Sequence, residues 1–448
     1  MVCASVPLHI AWLELGMHMH CSTGLLVNLE SMSLMHSVFD TIKAFLHLRF
    51  SEPIMRFKSL RSGVVGVLGA AVSCFYGSEG LAASASYSLQ QIAGTSDGYS
   101  WFGTPEINNN ASLVFTAGFN GGANTGIFLS SGGTLQKIVD NTGDVFGVGV
   151  GRLNNSDVVA FDVSMRIGAG PDQIRTYNHG VYETVVTRYL LGDINDSGTV
   201  SYASNISGGH YGFLTRGAAG TTVIVGASAS DPVPTYIGQM SADGSVPFGA
   251  YGPGGVVTLY LGNGGPLSTI ATTAPGGGFS SIDDFEPVIN KAGVVAFWGT
   301  STTQGAGYFL ANGSTIEKLS FNSGISPISR SLSLNSDLEY SFLGSRYDAE
   351  THSFYSGVFV HANGSDEEVI KVGDALFGSV VTNISVSSQA LNDGGQVAFV
   401  ATLGNGAKAV VLATPVSEPE GLALYLGGLL LLMPFTKIAG IGNRKSLG

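Results

Sequence analysis

The chain has 448 residues, a formal net charge of −12, only 12% charged residues and 64 glycines. This acidic balance argues against DNA or RNA as a partner, because binding phosphate requires a basic face. The cysteines are Cys3, Cys21 and Cys74, so the chain after residue 85 has no disulfide and no thiolate metal site.

Residues 55–85 have the order of features typical of a secretory signal peptide. A basic segment, residues 55–61, precedes an apolar stretch, residues 63–72, and small residues at 81–85 provide a cleavage site. We expect cleavage near Ala85 and export of the rest of the chain. An ordinary N-terminal helix is the alternative interpretation.

Residues 1–54 precede this predicted signal peptide, although a signal peptide should begin a protein. They show no internal repeat and hold five of the nine histidines. We interpret Met55 as the initiator. Residues 1–54 would then come from a gene start placed too far upstream, or form an unstructured leader. A genuine leader or an amphipathic membrane helix remains the alternative.

A short phrase recurs seven times in the middle of the chain. It consists of an apolar residue, Asn (Ser once) and a β-rich run that closes on an aromatic residue. The closing aromatics are Phe115, Phe161, Tyr202, Phe248, Phe297, Phe342 and Phe399. Successive closing aromatics are 41 to 57 residues apart, and repeats of about 40–50 residues are typical of propellers and other arrays.

Each repeat reads as four short strands. In the first repeat, strands are predicted at 106–107, 113–117, 126–129 and 135–139, and the turn at Asn108 is attributed to the tolerance of Asn for left-handed backbone. Gly stands at the fourth turn position in four repeats, whereas the second and sixth repeats have Asp157 and Leu338 there. Four strands per repeat match one propeller blade.

We therefore predict an all-β, seven-bladed β-propeller over residues 86–416. The spacing excludes a one-turn parallel β-helix repeat, and seven near-equal units divide poorly between two stacked sandwiches. The seventh repeat lacks a fourth strand before Pro415, and residues 87–93 match the fourth-strand pattern. Pairing of the two ends would remove both exposed strand edges.

The repeats resemble the tandem NxxGxxAF family of exported proteins, most closely at residues 290–297 and 392–399. This resemblance covers the whole middle segment. Members of that family carry one of several alternative anchors, and the resemblance implies no general enzymatic activity and no catalytic residues.

The C-terminal residues 417–448 resemble the PEP-CTERM sorting tail. Ser417-Glu418-Pro419 is followed by an apolar run, residues 421–435, and by Arg444 and Lys445. The resemblance implies recognition by exosortase, a membrane peptidase, in bacteria that make exopolysaccharide. The first Pro of the motif is replaced by Ser417, and the apolar run spans a bilayer only if it extends to Ile441. A permanent, uncleaved anchor is the alternative.

Several local strings suggest chemistry, but none is a convincing site. Residues 94–98 match G-x-S-x-G without the strand–helix context of a nucleophile elbow, and residues 192–198 resemble a calcium loop that lacks the twelfth carboxylate. Two acidic clusters are interpreted as solvated loops, rather than as cation sites or paired carboxylates: Asp283, Asp284 and Glu286, and Asp366, Glu367 and Glu368. The histidines after residue 85 show no ligand spacing: His179, His210, His352 and His361.

No catalytic, cofactor or metal residues are therefore assigned, and the closing aromatics are expected to be core residues. The predicted function is that of a non-catalytic exported protein of the cell envelope, cell surface or extracellular matrix, with exopolysaccharide as its candidate partner. The alternative is a propeller enzyme or lectin that acts on or binds glycans at the mouth of the channel. Converging carboxylates or histidines at that mouth would favour the enzyme.

Overall fold

The computed structural model describes residues 87–187, 190–206, 211–226, 231–283, 287–322 and 324–416. The predictions for residues 1–54, for the signal peptide and for the tail that begins at Ser417 lie outside these residues. The same holds for His210, Asp284 and Glu286. Within the described ranges no helix is both long and apolar enough to cross a membrane.

The described chain is all-β, and its strands form seven antiparallel sheets that follow one another in sequence. The first strand stands apart from the first sheet: β1, Tyr87–Gly94. Blade 1 contains β2 (Tyr99–Phe102), β3 (Glu106–Ile107), β4 (Leu113–Phe119), β5 (Asn124–Ser131) and β6 (Thr134–Asp140). Blade 2 contains β7 (Val145–Leu153), β8 (Val159–Met165), β9 (Gln173–Asn178) and β10 (Val181–Thr187). Blade 3 contains β11 (Leu190–Ile194), β12 (Val200–Asn205), β13 (Tyr211–Gly217) and β14 (Gly220–Val225).

The remaining four blades repeat this arrangement. Blade 4 contains β15 (Val233–Ile237), β16 (Val246–Tyr251), β17 (Val257–Gly262) and β18 (Ser268–Thr272). Blade 5 contains β19 (Phe279–Ile282), β20 (Val288–Ile289), β21 (Val295–Ser301), β22 (Gly305–Asn312) and β23 (Thr315–Lys318). Blade 6 contains β24 (Ile325–Leu334), β25 (Tyr340–Asp348), β26 (Ser353–Ala362) and β27 (Ser365–Lys371). Blade 7 contains β28 (Ala375–Leu376), β29 (Ser379–Ser385), β30 (Val397–Leu403) and β31 (Lys408–Pro415). Short 3-10 helices occupy Thr95–Asp97, Asn120–Gly122 and Pro253–Gly255.

The predicted strand exchange between the two ends is confirmed. Strand β1 pairs antiparallel with β31, with Tyr87 opposite Pro415 and Gly94 opposite Ala409. It is the outermost strand of blade 7. The ladder therefore covers an edge that β31 would otherwise expose, and it closes the seven-bladed ring without a disulfide.

The hydrophobic core lies between neighbouring blades. The described residues form seven buried clusters, and each cluster combines side chains from two blades that are adjacent in the ring. The predicted core role of the closing aromatics is confirmed, since all seven are at most 3% exposed. Several also stack within their own blade: the ring centroids of Phe342 and Phe359 are 5.7 Å apart. The repeat is thus a packing unit.

The innermost strand of each blade is interrupted before the turn that begins with the recurring Asn of the repeat, which is Ser241 in blade 4. In blade 1, β2 and β3 pair separately with β4. In β7 the register shifts between Val148 and Gly151, and in β24 it shifts between Pro327 and Leu332. Because such bulges bend a strand away from its ladder, they shape the wall of the central channel.

Candidate functional site

One end of the central channel is closed by the seven turns that follow the innermost strands. Their first residues are buried and lie around the axis: Asn108, Asn154, Asn195, Ser241, Asn290, Asn335 and Asn392. We call this set the Asn ring. A small pocket of about 110 Å³ at this end is lined by the ring and by Asp193, Gln239, Ser388 and Gln389.

Each Asn of the ring joins its own turn to the turn of the next blade. Asn154 Oδ1 accepts from the backbone N–H groups of Ser156 and Val158, both at 3.0 Å. Its Nδ2 donates to the carbonyl of Asn195 at 3.0 Å. This position therefore needs a side chain with an acceptor atom and a separate donor atom. The Asn amide has both, whereas an ionised Asp has no donor and Ser has a single oxygen.

The bridges run around the whole ring with one substitution. The last bridge, from Asn392 Nδ2 to the carbonyl of Asn108 at 3.0 Å, connects blade 7 to blade 1. At Ser241 the amide is missing, and the backbone N–H of Ala242 instead donates to the carbonyl of Lys291 at 3.4 Å. The hydrogen-bonded ring is thus continuous.

The structure corrects the reason given for Asn in these turns. The residue with left-handed backbone is the fourth of the turn, not the Asn: φ is 59° at Ala111, 60° at Asp157 and 64° at Leu338. The other four turns place Gly at this position, also with positive φ. Asn is required for hydrogen bonding between blades, and Gly is favoured for the backbone.

Polar side chains on the outer side of the Asn ring also bind one another. Asp196 accepts from the backbone N–H of Asn155 at 2.9 Å and from Lys291 Nζ at 2.8 Å. Asp393 accepts from Ser336 and from Asn109 Nδ2. Burial acts to raise the pKa of Asp393, but the hydrogen bonds from Ser336 and Asn109 outweigh it and hold the pKa below its usual value. The resemblance to a calcium loop at residues 192–198 is explained by this turn of blade 3.

A buried carboxylate in the middle of the channel connects three blades. Asp193 accepts from the backbone N–H of Met240 at 2.8 Å and from Gln389 Nε2 at 3.2 Å. Burial raises the pKa of Asp193, and the positive charge of Arg152 counteracts the rise only in part. Asp193 therefore links blades 3, 4 and 7 beneath the ring.

The opposite end of the channel contains an open cavity of about 450 Å³. We call it the channel cavity. Its polar and rim residues come from blades 1, 2, 6 and 7: Trp101, Thr104, Glu106, Val150, Arg152, Ser331, Ser387 and Ser388. Glu106 and Arg152 lie on β3 and β7, closest to the Asn ring among these residues, and form a buried ion pair. The pair marks the floor of the cavity, and its two charges cancel.

Several polar groups in the channel cavity are not engaged in structural hydrogen bonds. Within the described part of the chain, the side chains of Trp101, Thr104, Ser331 and Ser388 make no hydrogen bond, whereas Ser387 Oγ donates to the carbonyl of Pro105 at 2.6 Å. Trp101 and Thr104 are exposed, and Ser331 and Ser388 are half-buried. These polar groups are therefore accessible from the cavity to water or to a ligand.

Two close approaches fix the walls of this cavity. A Cβ at Gly118 would lie 2.1 Å from Trp101 Nε1, so the Nε1 edge of the indole lies directly against the backbone of β4. A Cβ at Gly149 would lie 2.2 Å from Asp162 Oδ1. Burial raises the pKa of Asp162. A Cβ at either position would clash with a neighbouring side chain, whereas neither glycine has a positive φ.

The other sequence-derived candidates lie apart from the channel cavity. Ser96 lies in the 3-10 helix after β1, where its Oγ contacts Asp97 Oδ1 at 3.3 Å. His179 and His352 lie in hairpin turns of blades 2 and 6. No group of three or more His, Cys, Asp or Glu close enough to hold a metal ion occurs among the described residues. The sorting residues Ser417, Glu418, Pro419, Arg444 and Lys445 lie outside the described residues.

The interpretation of Asp366, Glu367 and Glu368 as a solvated loop is wrong. These residues lie on β27, the outermost strand of blade 6. Asp366 is buried, contacts His361 Nδ1 at 2.6 Å and accepts from the backbone N–H of Asn322 at 2.6 Å. The cluster is therefore part of the sheet, because alternate residues of a strand face inward even in an acidic run.

Sequence reasoning did not find the polar residues of the channel. Glu106, Arg152, Asp193 and Gln239 each stand two residues before the first residue of a ring turn. Side chains two apart on a strand face the same side. An alignment of the repeats on the Asn, with attention to the residue two positions earlier, would have revealed this layer of polar side chains.

Comparisons of the sequence with known proteins give no activity. The model of a family of unknown function (DUF7453) matches residues 194–413, just under half of the chain. No curated protein matches the sequence.

The similar solved structures have very low identity to this chain. The β-propeller domain of the Trilobed protease from Pyrococcus furiosus has 6% identity and a TM-score of 0.48, covering 71% of this chain and 96% of that chain. A prolyl endopeptidase has 13% identity and a TM-score of 0.45, covering 71% of this chain and 51% of that chain, so this chain spans about half its length. A putative TolB from Agrobacterium tumefaciens has 13% identity and a TM-score of 0.33, covering 71% and 92%. These likenesses concern the fold and bear on no substrate.

Proposed function

We propose that the protein is an exported, non-catalytic glycan-binding propeller of the cell envelope or extracellular matrix, associated with exopolysaccharide and sorted by an exosortase-type peptidase. The observation that carries the binding role is the channel cavity, with its exposed indole and uncommitted hydroxyls. Ligand sites of this volume typically combine apolar surface with a few placed polar groups.

The same cavity favours binding over catalysis. Glycoside hydrolysis uses two carboxyl groups, one of them protonated, on either side of the scissile bond. Glu106 is the only carboxylate among the described residues that line the channel cavity, and it is paired with Arg152. No histidine lines the cavity within that set.

The place where the described chain ends is compatible with sorting through the tail. Gln396, in the turn after Asn392, donates from Nε2 to Thr414 Oγ1 at 3.0 Å, so β31 ends beside the Asn ring. Five residue steps separate Val416 from Gly421, the first residue of the apolar run, and they span at most about 18 Å. The described chain therefore ends on the Asn-ring side of the propeller.

The sorting role is tested by changing Glu418 and Pro419 to Ala in the full chain. Recognition of the motif should be lost while the apolar run remains, so we expect a full-length, membrane-bound product on immunoblots of cell fractions. Glu420→Ala removes a neighbouring carboxylate and is the matched control, which should be processed normally. Normal processing of the double variant would show that the tail is not a sorting signal.

The binding role is tested with the exported protein on an array of bacterial and plant oligosaccharides. We expect saturable binding to at least one glycan class, and loss of that signal with Trp101→Ala. Absence of binding across the array would contradict the glycan-binding role and leave a purely structural matrix role.

A further inference from the structure

We propose that the channel cavity binds the end of a glycan chain, one or two sugar residues, and not an internal stretch. This inference rests on the proposed glycan-binding function and specifies the ligand of the same site. Its basis is the shape of the channel together with the charge of the cavity floor.

The channel is obstructed beneath the Asn ring, where two hydrogen bonds join blades that are not neighbours in the ring. Beneath the ring, Asp193 accepts from Gln389 Nε2 at 3.2 Å, and Gln239 Nε2 donates to the carbonyl of Ser388 at 2.7 Å. A polymer cannot pass this level of the channel without breaking these hydrogen bonds, and breaking buried hydrogen bonds is unfavourable. A ligand can therefore enter only from the open end and must stop at the floor.

The depth of the cavity is limited in the same way. The floor is the Glu106–Arg152 ion pair, and the rim contains Trp101 and Val150. The volume of about 450 Å³ between them lies at the lower part of the range of ligand sites, roughly 300–1,000 Å³. Space of this size accommodates a chain terminus rather than an extended segment.

The chemistry of the walls favours an uncharged, hydroxyl-rich ring. The opposite charges of the floor cancel, so the floor does not favour a ligand with a net charge, such as a peptide terminus or a phosphate. Thr104, Ser331 and Ser388 each offer a hydroxyl that can donate and accept, as sugar hydroxyls also do. The indole of Trp101, whose Nε1 lies against Gly118, supplies a partly exposed apolar surface at the entrance.

The length of the bound segment is tested by calorimetry with linear oligosaccharides of one to six residues, taken from a class that binds on the array. We expect affinity to increase up to two residues and then to change by less than about twofold. A cyclic oligosaccharide of the same sugar has no chain end and should not bind. Affinity that continues to rise with length, or equal binding of the cyclic form, would overturn the inference while leaving glycan binding intact.

The location is tested with Trp101→Ala and Ser388→Ala. We expect dissociation constants to rise by about tenfold, the effect of losing one well-placed contact of about 1.4 kcal/mol. Phe354→Ala is the matched control, because Phe354 is an exposed aromatic on β26 that does not line the cavity. Ser388→Ala removes only a hydroxyl and keeps the test valid if Trp101→Ala disturbs the fold. Equal loss in the control, or unchanged affinity in both cavity variants, would place the glycan elsewhere.

If no oligosaccharide binds in either experiment, the proposed glycan-binding function fails and the end-binding inference fails with it. If a peptide binds instead with the same dependence on Trp101, the neutral-floor argument is wrong. These results differ from the case in which a glycan binds along its length, which contradicts the end-binding inference alone.

Discussion

The two ends of the central channel are built from the same seven repeats, but their polar side chains are used differently. At the Asn ring, the amide of Asn154 makes three hydrogen bonds and spans two blades. At the channel cavity, the hydroxyls of Thr104 and Ser388 make no hydrogen bond within the described residues. The comparison teaches that one end stabilises the ring, while the other is available for a ligand.

The largest expected effect comes from opening the ring. Deleting residues 87–94 removes the outer strand of blade 7 and exposes the edge of β31, including buried Val411 and Ala413. We expect loss of cooperative unfolding, or aggregation, in thermal melts monitored by circular dichroism and light scattering. Replacing exposed Ser88 and Gln90 by Ala keeps the strand and should behave like the wild type. If the truncated protein melts like the full one, β1 does not close the ring.

A single change in the Asn ring should have the next largest effect. Asn154→Ala removes three hydrogen bonds at a buried position, and at about 1 kcal/mol each the free energy of unfolding should fall by about 3 kcal/mol. Denaturant unfolding measures the change. Asn155→Ala, one residue further and half-buried, should cost about 1 kcal/mol or less. Equal losses in the free energy of unfolding at the two positions would contradict a special role of the Asn ring.

Asp193, beneath the ring, should make stability depend on pH. Because burial raises the pKa of Asp193 above its ordinary value of 3.8, the folded state favours the protonated form. The stability of the wild type relative to Asp193→Asn should therefore be greatest below pH 3.8 and decrease as the pH rises through the folded-state pKa. Denaturant titrations from pH 3 upward measure this difference. A constant or rising difference would contradict the predicted shift.

Leu338 offers a smaller, stabilising change in the ring turns. Its φ of 64° is a left-handed conformation that costs a non-Gly residue about 1–2 kcal/mol, and Gly costs about 0.5–1 kcal/mol in lost entropy. We expect Leu338→Gly to raise the free energy of unfolding by about 0.5–1 kcal/mol. Leu338→Ala retains the Cβ and is the control, with no gain expected in the same unfolding measurement. A gain from Ala alone would attribute the effect to the exposed leucyl side chain.

The smallest expected effect is at the channel cavity. Ser388→Ala removes a hydroxyl that has no partner in the described chain, so the free energy of unfolding should change by less than about 0.5 kcal/mol. Chemical denaturation of the unliganded protein measures it. A loss as large as that of Asn154→Ala would show that both ends of the channel are structural.

The sequence predicted the blades well because each blade is a local unit. The closing aromatics and their spacing indicated seven sheets, and the missing fourth strand of the last repeat indicated the position of β1. Both features are confirmed. Hydrophobic and turn patterns act over a few residues, so they can be read directly from the chain.

The site could not be read in the same way, because its contacts join different repeats. Asn108 bonds to a carbonyl 46 residues away, and Gln389 bonds to Asp193 across 196 residues. No local pattern encodes such partners until the ring geometry is known. The buried role of Asp366 was missed for the related reason that an acidic run was assigned to a loop, although β27 turns one of its carboxylates inward.

The position of β31 between two strands also has a mechanical consequence. Pro415 is the last residue of a strand that pairs with β30 on one side and with β1 on the other. Interstrand hydrogen bonds are perpendicular to the strands, so a pull on the chain beyond Val416 along β31 loads both ladders in shear and strains many bonds together. If a ligand in the channel cavity and the tail were pulled in opposite directions, the force would cross the propeller through β31. Because β31 is paired on both sides, it would resist unravelling from this end better than a strand paired on one side.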